Sequence, residues 1–472
     1  MTMAKRYFAG GIILTVVVLA VLYLSNLARP LPMPTMKLSE VSVARDGTAG
    51  AVNARTDGSF IQWWLVKDWD DTRWLKEYQV LKEAGMNYIV LAPTALYTTG
   101  KKTKTIYPTK LDWCETMMED SGSEYPDVVD ACLRNAQKAG IKVFLGLNFS
   151  DEWWSKRRDA EWIYARMREG NGIADELWDR YRSKYPQAFY GWYWCWEVDN
   201  AYFKRFDFYN SMNILTNAIK IQIDHLDAKN RHLPFMLAPY MDWKLGTPKD
   251  YAQMWKYVFA NSGISGGDIF CPQDCIGAGG LRMDNYVKWF AELRKAVDTK
   301  PGLEMWVDTE TFDSTDWTGV TIDRFVKQMK ELQPYVDNFI SFAYSHYYSP
   351  NIVDSDFHKT YMQYVNTGEL ETILPSTPLD LKAKILADGT VDLSWSESTD
   401  NMGVCGYYVY CNGKRIANRQ VQRHTESSPE AVNHMVDTIQ KSDIAYIYEI
   451  QAYDFAGNTS VMSESVTIPA IY

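Results

Sequence analysis

From Phe60 to about residue 366 one unit recurs eight times: a short apolar run, a polar break, then a longer stretch with apolar residues at helical spacing. The apolar runs are Phe60–Leu65, Tyr88–Leu91, Lys142–Asn148, Phe189–Trp196, Phe235–Ala238, Asp268–Cys271, Leu303–Val307 and Phe339–Ala343, and each reads as a strand. Between them, Asp71 can cap a helix ending at Gly85, and Pro126–Ala139 is stopped by Gly140. A charged stretch over 152–184 and the segment Asn213–Leu226 follow, and Thr247-Pro248 places a capping hydroxyl before Pro at the first helical position. Tyr286–Val297 comes next, then an apolar stripe at Ile322, Phe325, Val326, Met329 and Leu332, then 356–366. Eight such units in about 310 residues predict an α/β fold closed as a (β/α)8 TIM barrel. A doubly wound sheet would carry a Gly-rich turn after its first strand, and none is present. The loop of about 30 residues after the second strand is long enough to be functional.

The rhythm changes after residue 375. Val391–Trp395, Gly406–Tyr410 and Tyr446–Ile450 are short alternating strands, and Asn412-Gly413 is a hairpin turn signal. Leu393-Ser-Trp395, Asp400-Asn401, Gly403-Val404, Gly406-Tyr407 and Ala452-Tyr-Asp-Phe-Ala-Gly-Asn458 resemble the fibronectin type III modules of exported bacterial enzymes. The segment 375–472 is therefore expected to be an all-β, Ig-like sandwich. The barrel is expected over 59–370, with a Pro- and Gly-bearing linker over 31–58. Lys5-Arg6 followed by the apolar run 8–24 makes 1–30 an export signal or an uncleaved membrane anchor. Either way the rest of the chain is expected outside the cytoplasm, touching a membrane only through that segment.

Formal charge is −10 and no basic block occurs, so the chain offers no electrostatic footprint for nucleic acid. Of 18 Trp, all but Trp395 lie between Trp63 and Trp317. Trp is a large core residue, and its flat face also suits a sugar ring. The seven Cys are scattered, and Cys271 and Cys275 have no second pair with which to build a zinc site. No metal and no other cofactor is expected. There is no Gly-x-Ser-x-Gly elbow and no phosphate-binding loop.

In a barrel of this kind chemistry stands where strands end. Strand one offers Gln62 and Trp63, strand three Asn148, and strand four Trp194, Glu197, Asp199 and Asn200. Strand five offers Tyr240 and Asp242, strand six Gln273 and Asp274, strand seven Asp308 and Glu310. Strand eight offers Tyr344 and His346, with Tyr347 and Tyr348 beside them as a sugar platform or as packing. Glu197 closes the aromatic run Gly191-Trp-Tyr-Trp-Cys-Trp196, and Glu310 closes the apolar strand Leu303–Val307. Two carboxyls converging across a barrel mouth are what glycoside hydrolysis requires, one protonated and one ionised. Aromatic walls would raise the pKa of Glu197, as a general acid needs, leaving Glu310 as nucleophile. A strand-end Glu can also simply pair with an Arg or cap a helix.

A Glu at the end of strands four and seven resembles the largest clan of retaining TIM-barrel glycosidases. That clan has Asn before the strand-four Glu, where this chain has Trp196, so the sugar 2-hydroxyl would fall to Asn148, Asn200 or Gln62. A closer resemblance is carried by Gly58-Ser-Phe-Ile-Gln62, Phe189-Tyr-Gly-Trp-Tyr193, Glu197-Val-Asp199, Gln273-Asp274 with Gly277, and Asp308-Thr-Glu310-Thr-Phe312. These look like domain of unknown function 4434, an exported bacterial family grouped with glycosidase-like barrels. The resemblance covers roughly 59–365 and implies Gln273 and Asp274 as substrate-binding residues. The expected function is a retaining glycoside hydrolase of an extracellular polysaccharide or glycoconjugate, with carbohydrate as its partner. The alternatives are a non-catalytic glycan-binding barrel and an inert surface scaffold.

Overall fold

The computed structural model describes residues 53–119, 122–202, 208–421, 432–438 and 444–470. The export segment and most of the expected linker lie outside these residues. Eight parallel strands close into a barrel: β1 (Gly58–Gln62), β2 (Tyr88–Ala92), β3 (Lys142–Gly146), β4 (Phe189–Trp194), β5 (Phe235–Leu237), β6 (Ile269–Phe270), β7 (Glu304–Glu310) and β8 (Asn338–Phe342). Each strand pairs with its sequence neighbours, and Ser59 opposite Ser341 shuts the ring between β1 and β8. The outer layer is α1 (Asp71–Glu83), α2 (Val128–Ala139), α3 (Ala160–Leu177), α4 (Phe208–Ala228), α5 (Pro248–Asn261), α6 (Tyr286–Val297), α7 (Ile322–Leu332) and α8 (Ser355–Thr367). The (β/α)8 expectation holds, strand for strand and helix for helix.

Local chemistry explains the boundaries. The Thr247 hydroxyl accepts from the Asp250 amide at 3.2 Å, with Pro248 as the first helical residue of α5. Gly140, in the left-handed region at φ 70°, ends α2. The barrel interior is filled by aromatic rings: Tyr88 lies 4.9 Å from Trp306, and Phe60 lies 5.3 Å from Tyr193. Gly191 is required there, because a Cβ would collide with the Phe144 ring.

Several boundaries differ from the sequence reading. β1 starts at Gly58 and stops at Gln62, and Trp63–Val66 turns into a helical turn. The charged stretch after β3 divides into Trp153–Lys156, α3 and a wide turn at Trp178–Arg182, because Asp159 caps a fresh helix by accepting from the Trp162 amide. β7 runs past Val307 to Glu310, since Asp308, Thr309 and Glu310 pair with Ile340, Ser341 and Phe342. The long loop after β2 forms short strands (Ala95–Leu96, Thr103–Thr105, Cys114–Thr116) that pair onward to Asn148–Phe149.

The C-terminal part is two antiparallel sheets. One holds β9 (Lys382–Ile385), β10 (Val391–Ser394) and β13 (His434–Asp437). The other holds β11 (Val404–Cys411), β12 (Lys414–Gln420), β14 (Tyr446–Asp454) and β15 (Val466–Ile468). Asn412 and Gly413 both take positive φ, as a two-residue hairpin between β11 and β12 demands. Val391, Leu393, Trp395, Tyr407, Val409 and Tyr448 are in its core. The sandwich rests on the barrel: Cys405, Tyr453 and Phe455 join the barrel's hydrophobic cluster. Among the described residues no helix is long and apolar enough to cross a membrane.

Candidate active site

Glu197 follows β4 on the C-terminal face. Its carbonyl is held by the Trp153 indole N–H at 2.6 Å, and its Oε2 accepts from Gln273 Nε2 at 3.1 Å. The residue before it points the other way. Trp196 is buried among Phe149, Trp153 and Trp162, with ring centroids 5.5–5.8 Å away. This alternation turns Glu197 inward. Burial pushes its pKa up to about 7, the nearby Asp199 adds to the rise, and the Gln273 donor opposes it.

Glu310 ends β7 and is only 2% exposed. Its Oε2 accepts from the Ala278 amide at 2.8 Å. Gly277 makes that approach possible, because a Cβ there would strike the Phe312 carbonyl and crowd Glu310 Oε2. Burial pushes the Glu310 carboxyl well above its usual range, and the charges of Asp274 and Glu197 push it further. The Ala278 amide and the Arg324 guanidinium oppose the rise. Glu197 and Glu310 thus share one electrostatic field.

Asp274 and Asp308 complete the cluster. Asp274 Oδ2 accepts from Gln328 Nε2, and its Oδ1 accepts from the Ile276 amide at 3.1 Å. Burial raises its pKa to about 6. Asp308 is pushed well above the carboxylate range by burial and by Glu310, Asp274 and Glu197. Its Oδ1 is buried without a hydrogen-bond partner. Four carboxyls in one low-dielectric pocket cannot all be ionised, so protons are retained there near neutrality.

The other sequence candidates divide by direction. Gln62 and His346 meet at the mouth, where the Gln62 main-chain N–H donates to His346 Nε2 at 3.2 Å. Trp64, 43% exposed, stands edge-on to His346 at 5.2 Å. Tyr240 lies close enough to feel both Glu310 and Glu197. Tyr347 stacks on Phe312 at 5.6 Å, and Phe312 stacks on Trp317 at 5.4 Å.

Several candidates do not reach the mouth. Trp63 is buried in the core, because the helical turn after Gln62 leaves its neighbour Trp64 outside. Trp194 turns outward to α3 and donates its indole N–H to Met167 Sδ at 3.4 Å. Asn148 also faces α3, donating to the Arg166 carbonyl at 2.8 Å. Asp199 is paired with Arg157 at 2.9 Å, both buried. Asn200 and Asp242 stitch two loops together, the Asn200 amide group bonding the Asp242 main chain at 2.8 and 2.9 Å. Tyr344 is buried against α8, its hydroxyl 2.7 Å from His358 Nδ1, and the Tyr348 hydroxyl donates to the Val320 carbonyl. With Asn148 and Asn200 so engaged, Gln273 is the expected amide side chain that bonds a carboxyl of the pair. Unforeseen contributors are the Ala278 amide, Arg324 and Gln328. A polar Gln328 three residues after Phe325 on the apolar stripe is the one sequence signal that points to them.

Among the described residues, Glu371, Asp400 and Asp454 bring possible metal-ligand oxygens within 4.8 Å of one another, at the sandwich rather than at the mouth. Asn458 Nδ2 donates to both Glu371 and Asp454 there, at 2.8 Å. A depression lined by Arg294, Asp298, Glu304 and Asp337 lies at the opposite, N-terminal face of the barrel. Arg294 there pairs with Asp298 and Asp337.

Fold and mouth together define a class: a (β/α)8 barrel carrying a buried carboxyl cluster at the C-terminal ends of β4, β6 and β7. Residues 56–354 match the family described as Domain of unknown function (DUF4434), and the chain belongs to that family. It is 35% identical over 97 residues to an alpha-amylase of Niallia circulans, a match covering 21% of this chain and 7% of that protein. It is 34% identical over 98 residues to the chitinase Chi52 of Paenibacillus xylanexedens, covering 21% of this chain and 17% of that protein. The chain thus spans less than a fifth of the length of these relatives, and neither match is long enough to cover the barrel. A solved structure from Bacteroides thetaiotaomicron, described as a "putative alpha-L-fucosidase", superposes with a TM-score of 0.53 at 18% identity. It covers 70% of this chain and 99% of that one, a likeness of fold.

Proposed function

We propose that the chain is a retaining glycoside hydrolase acting on an extracellular polysaccharide or glycoconjugate. The supporting observation is the pair Glu197 and Glu310, sunk in one field at the barrel mouth, with Glu197 at about 7. In this reading Glu197 gives its proton to the leaving oxygen while Glu310 attacks the anomeric carbon, forming a glycosyl–enzyme ester. Glu197, now ionised, takes a proton from the water that opens the ester and returns to its starting state. Gln273 holds the Glu197 carboxyl in place. A proton kept on Asp308 relieves the repulsion on Glu310, and the Ala278 amide and Arg324 favour its ionised form. Trp64, Tyr347 and the Phe312–Trp317 stack offer flat faces for sugar rings. The chemistry is placed in the barrel, 59–370, and the module 375–472 follows it. Export rests on the apolar segment after Lys5-Arg6.

The reverse division of roles is favoured by one observation, the stronger upward push on Glu310. Azide separates the two. With a substrate found by screening polysaccharides and aryl glycosides, Glu310→Ala plus azide should give a glycosyl azide of inverted configuration. Glu197→Ala plus azide should give the retained one, and swapped configurations would exchange the roles. Glu197→Gln and Glu310→Gln should each cut hydrolysis by about 10²–10⁴-fold with glycan binding intact. Cleavage untouched by both changes would sink the hydrolase reading, and binding without product on any glycan would leave a glycan-binding barrel.

A further inference from the structure

We propose that the C-terminal sandwich is a positioning element for the barrel mouth, working through the hairpin after β7 and through α7. The kinetic meaning of this rests on the reading above, but the structural contacts do not. The segment after Glu310 folds back as two short strands, Phe312–Asp313 and Thr318–Gly319, and carries the Phe312–Trp317 stack. Its outer strand is held from the sandwich. Gln420 Nε2, at the end of β12, donates to the Gly319 carbonyl at 2.8 Å, and this bond is buried. Asn418 Nδ2 donates to Asp316 Oδ2 at 3.1 Å.

The sandwich also finishes α7. Thr321 stands at the cap of that helix but its side chain makes no capping bond. The first helical N–H, that of Ile322, instead donates to the Phe455 carbonyl at 2.9 Å, across the seam. A helix start leaves such N–H groups unsatisfied unless something outside the helix accepts them. Gly457 permits the close approach: a Cβ there would collide with the Asp323 carboxyl.

α7 passes this restraint to the carboxyl cluster. Arg324 Nη2 donates to the Phe312 carbonyl at 2.6 Å and to the Glu310 carbonyl at 3.3 Å. Arg324 Nε donates to Gln328 Oε1 at 3.0 Å, and Gln328 Nε2 reaches Asp274 and the Glu310 carbonyl. Phe455 in the sandwich is thus linked to the backbone of Glu310 through α7: one hydrogen bond at Ile322, the helix backbone from Ile322 to Arg324 and Gln328, and hydrogen bonds from those two side chains. A module that only spaced the barrel, or only bound glycan, would not need to cap a barrel helix.

The test uses the full chain and Gln420→Met, which keeps the side-chain volume and removes the donor. Hydrogen exchange is compared between variant and parent over 311–321 and over β11 and β14. Loss of a buried hydrogen bond should speed exchange in 311–321 by about tenfold, with β11 and β14 unchanged. On a hydrolysed glycan, kcat/KM should fall severalfold with both limbs of the pH profile in place, since Glu197 and Glu310 are untouched. Unchanged exchange in 311–321, or equal acceleration across β11 and β14, overturns the proposal. If Gln420→Met does not fold, Asn418→Asp, which keeps the acceptor for the Tyr453 hydroxyl of β14 and removes the donor to Asp316, carries the same two outcomes. Absence of hydrolysis by the parent chain on every glycan would overturn the hydrolase reading alone, and the exchange comparison would still decide this one.

Discussion

Glu197 shows how neighbours set the character of one carboxyl. Trp196 takes the outward place, Gln273 supplies a donor, and burial keeps the proton on to about pH 7. The same shift has a stability consequence. Unfolded carboxyls ionise near pH 4, whereas folded Glu197 holds its proton to about 7 and Asp274 to about 6. Between those values the folded state binds more protons than the unfolded state, so these groups add stability at low pH and lose it as pH rises through the folded pKa. Glu197→Gln removes one such group. Relative to the parent, its melting temperature should therefore be higher at about pH 8 than at about pH 5. A parent–variant difference that is flat with pH would show that Glu197 titrates normally. The residue level is also where the sequence was least legible. A strand-end position identifies Glu197, Gln273, Asp274, Asp308 and Glu310, but not which way a flanking side chain turns. Asn148 and Trp194 stand near strand ends yet face α3, and Tyr344, in the helical turn Tyr344–Tyr347 after β8, faces α8.

At the scale of elements, the signals that carried through were those with a local physical cause. Thr247-Pro248 starts a helix by its own chemistry, Asn412-Gly413 makes a hairpin by its own φ angles, and the stripe from Ile322 to Leu332 buries one face of α7. Thr247→Ala should cost about 1 kcal/mol of stability, read by denaturant unfolding. What could not be read from local pattern is long-range. The Ala278 amide meets Glu310 only because the loop after β6 folds over the end of β7, and Gly277 is the residue that lets it. Gly277→Ala should push the loop off, remove the Ala278 donor and raise the Glu310 pKa further. Under the proposed roles hydrolysis should fall by about tenfold or more, with the acid limb of the pH profile moved upward. Overpacking should also cost about 1–3 kcal/mol of stability. Full activity with an unmoved limb would mean that the Ala278 amide does not serve Glu310.

The whole molecule behaves as one unit if the seam between barrel and sandwich is as continuous as the hydrophobic cluster that crosses it. Phe455 is the test residue. Its ring meets Phe357 of α8 at 4.7 Å edge-on, its carbonyl caps α7, and it is buried within the barrel's cluster although it directly follows β14 of the sandwich. Two domains joined by a mere linker would melt separately, whereas shared core side chains couple them. Heating the full chain should give one calorimetric transition with equal calorimetric and van't Hoff enthalpies. Phe455→Ala should leave a cavity on both sides of the seam, costing about 3–5 kcal/mol, and should split or broaden that transition. Two well-separated transitions in the parent chain, unaffected by Phe455→Ala, would show that the sandwich only rests against the barrel. A single transition that Phe455→Ala divides would place the seam among the determinants of the fold, since the same residue fills the cluster and closes the helix that holds Glu310.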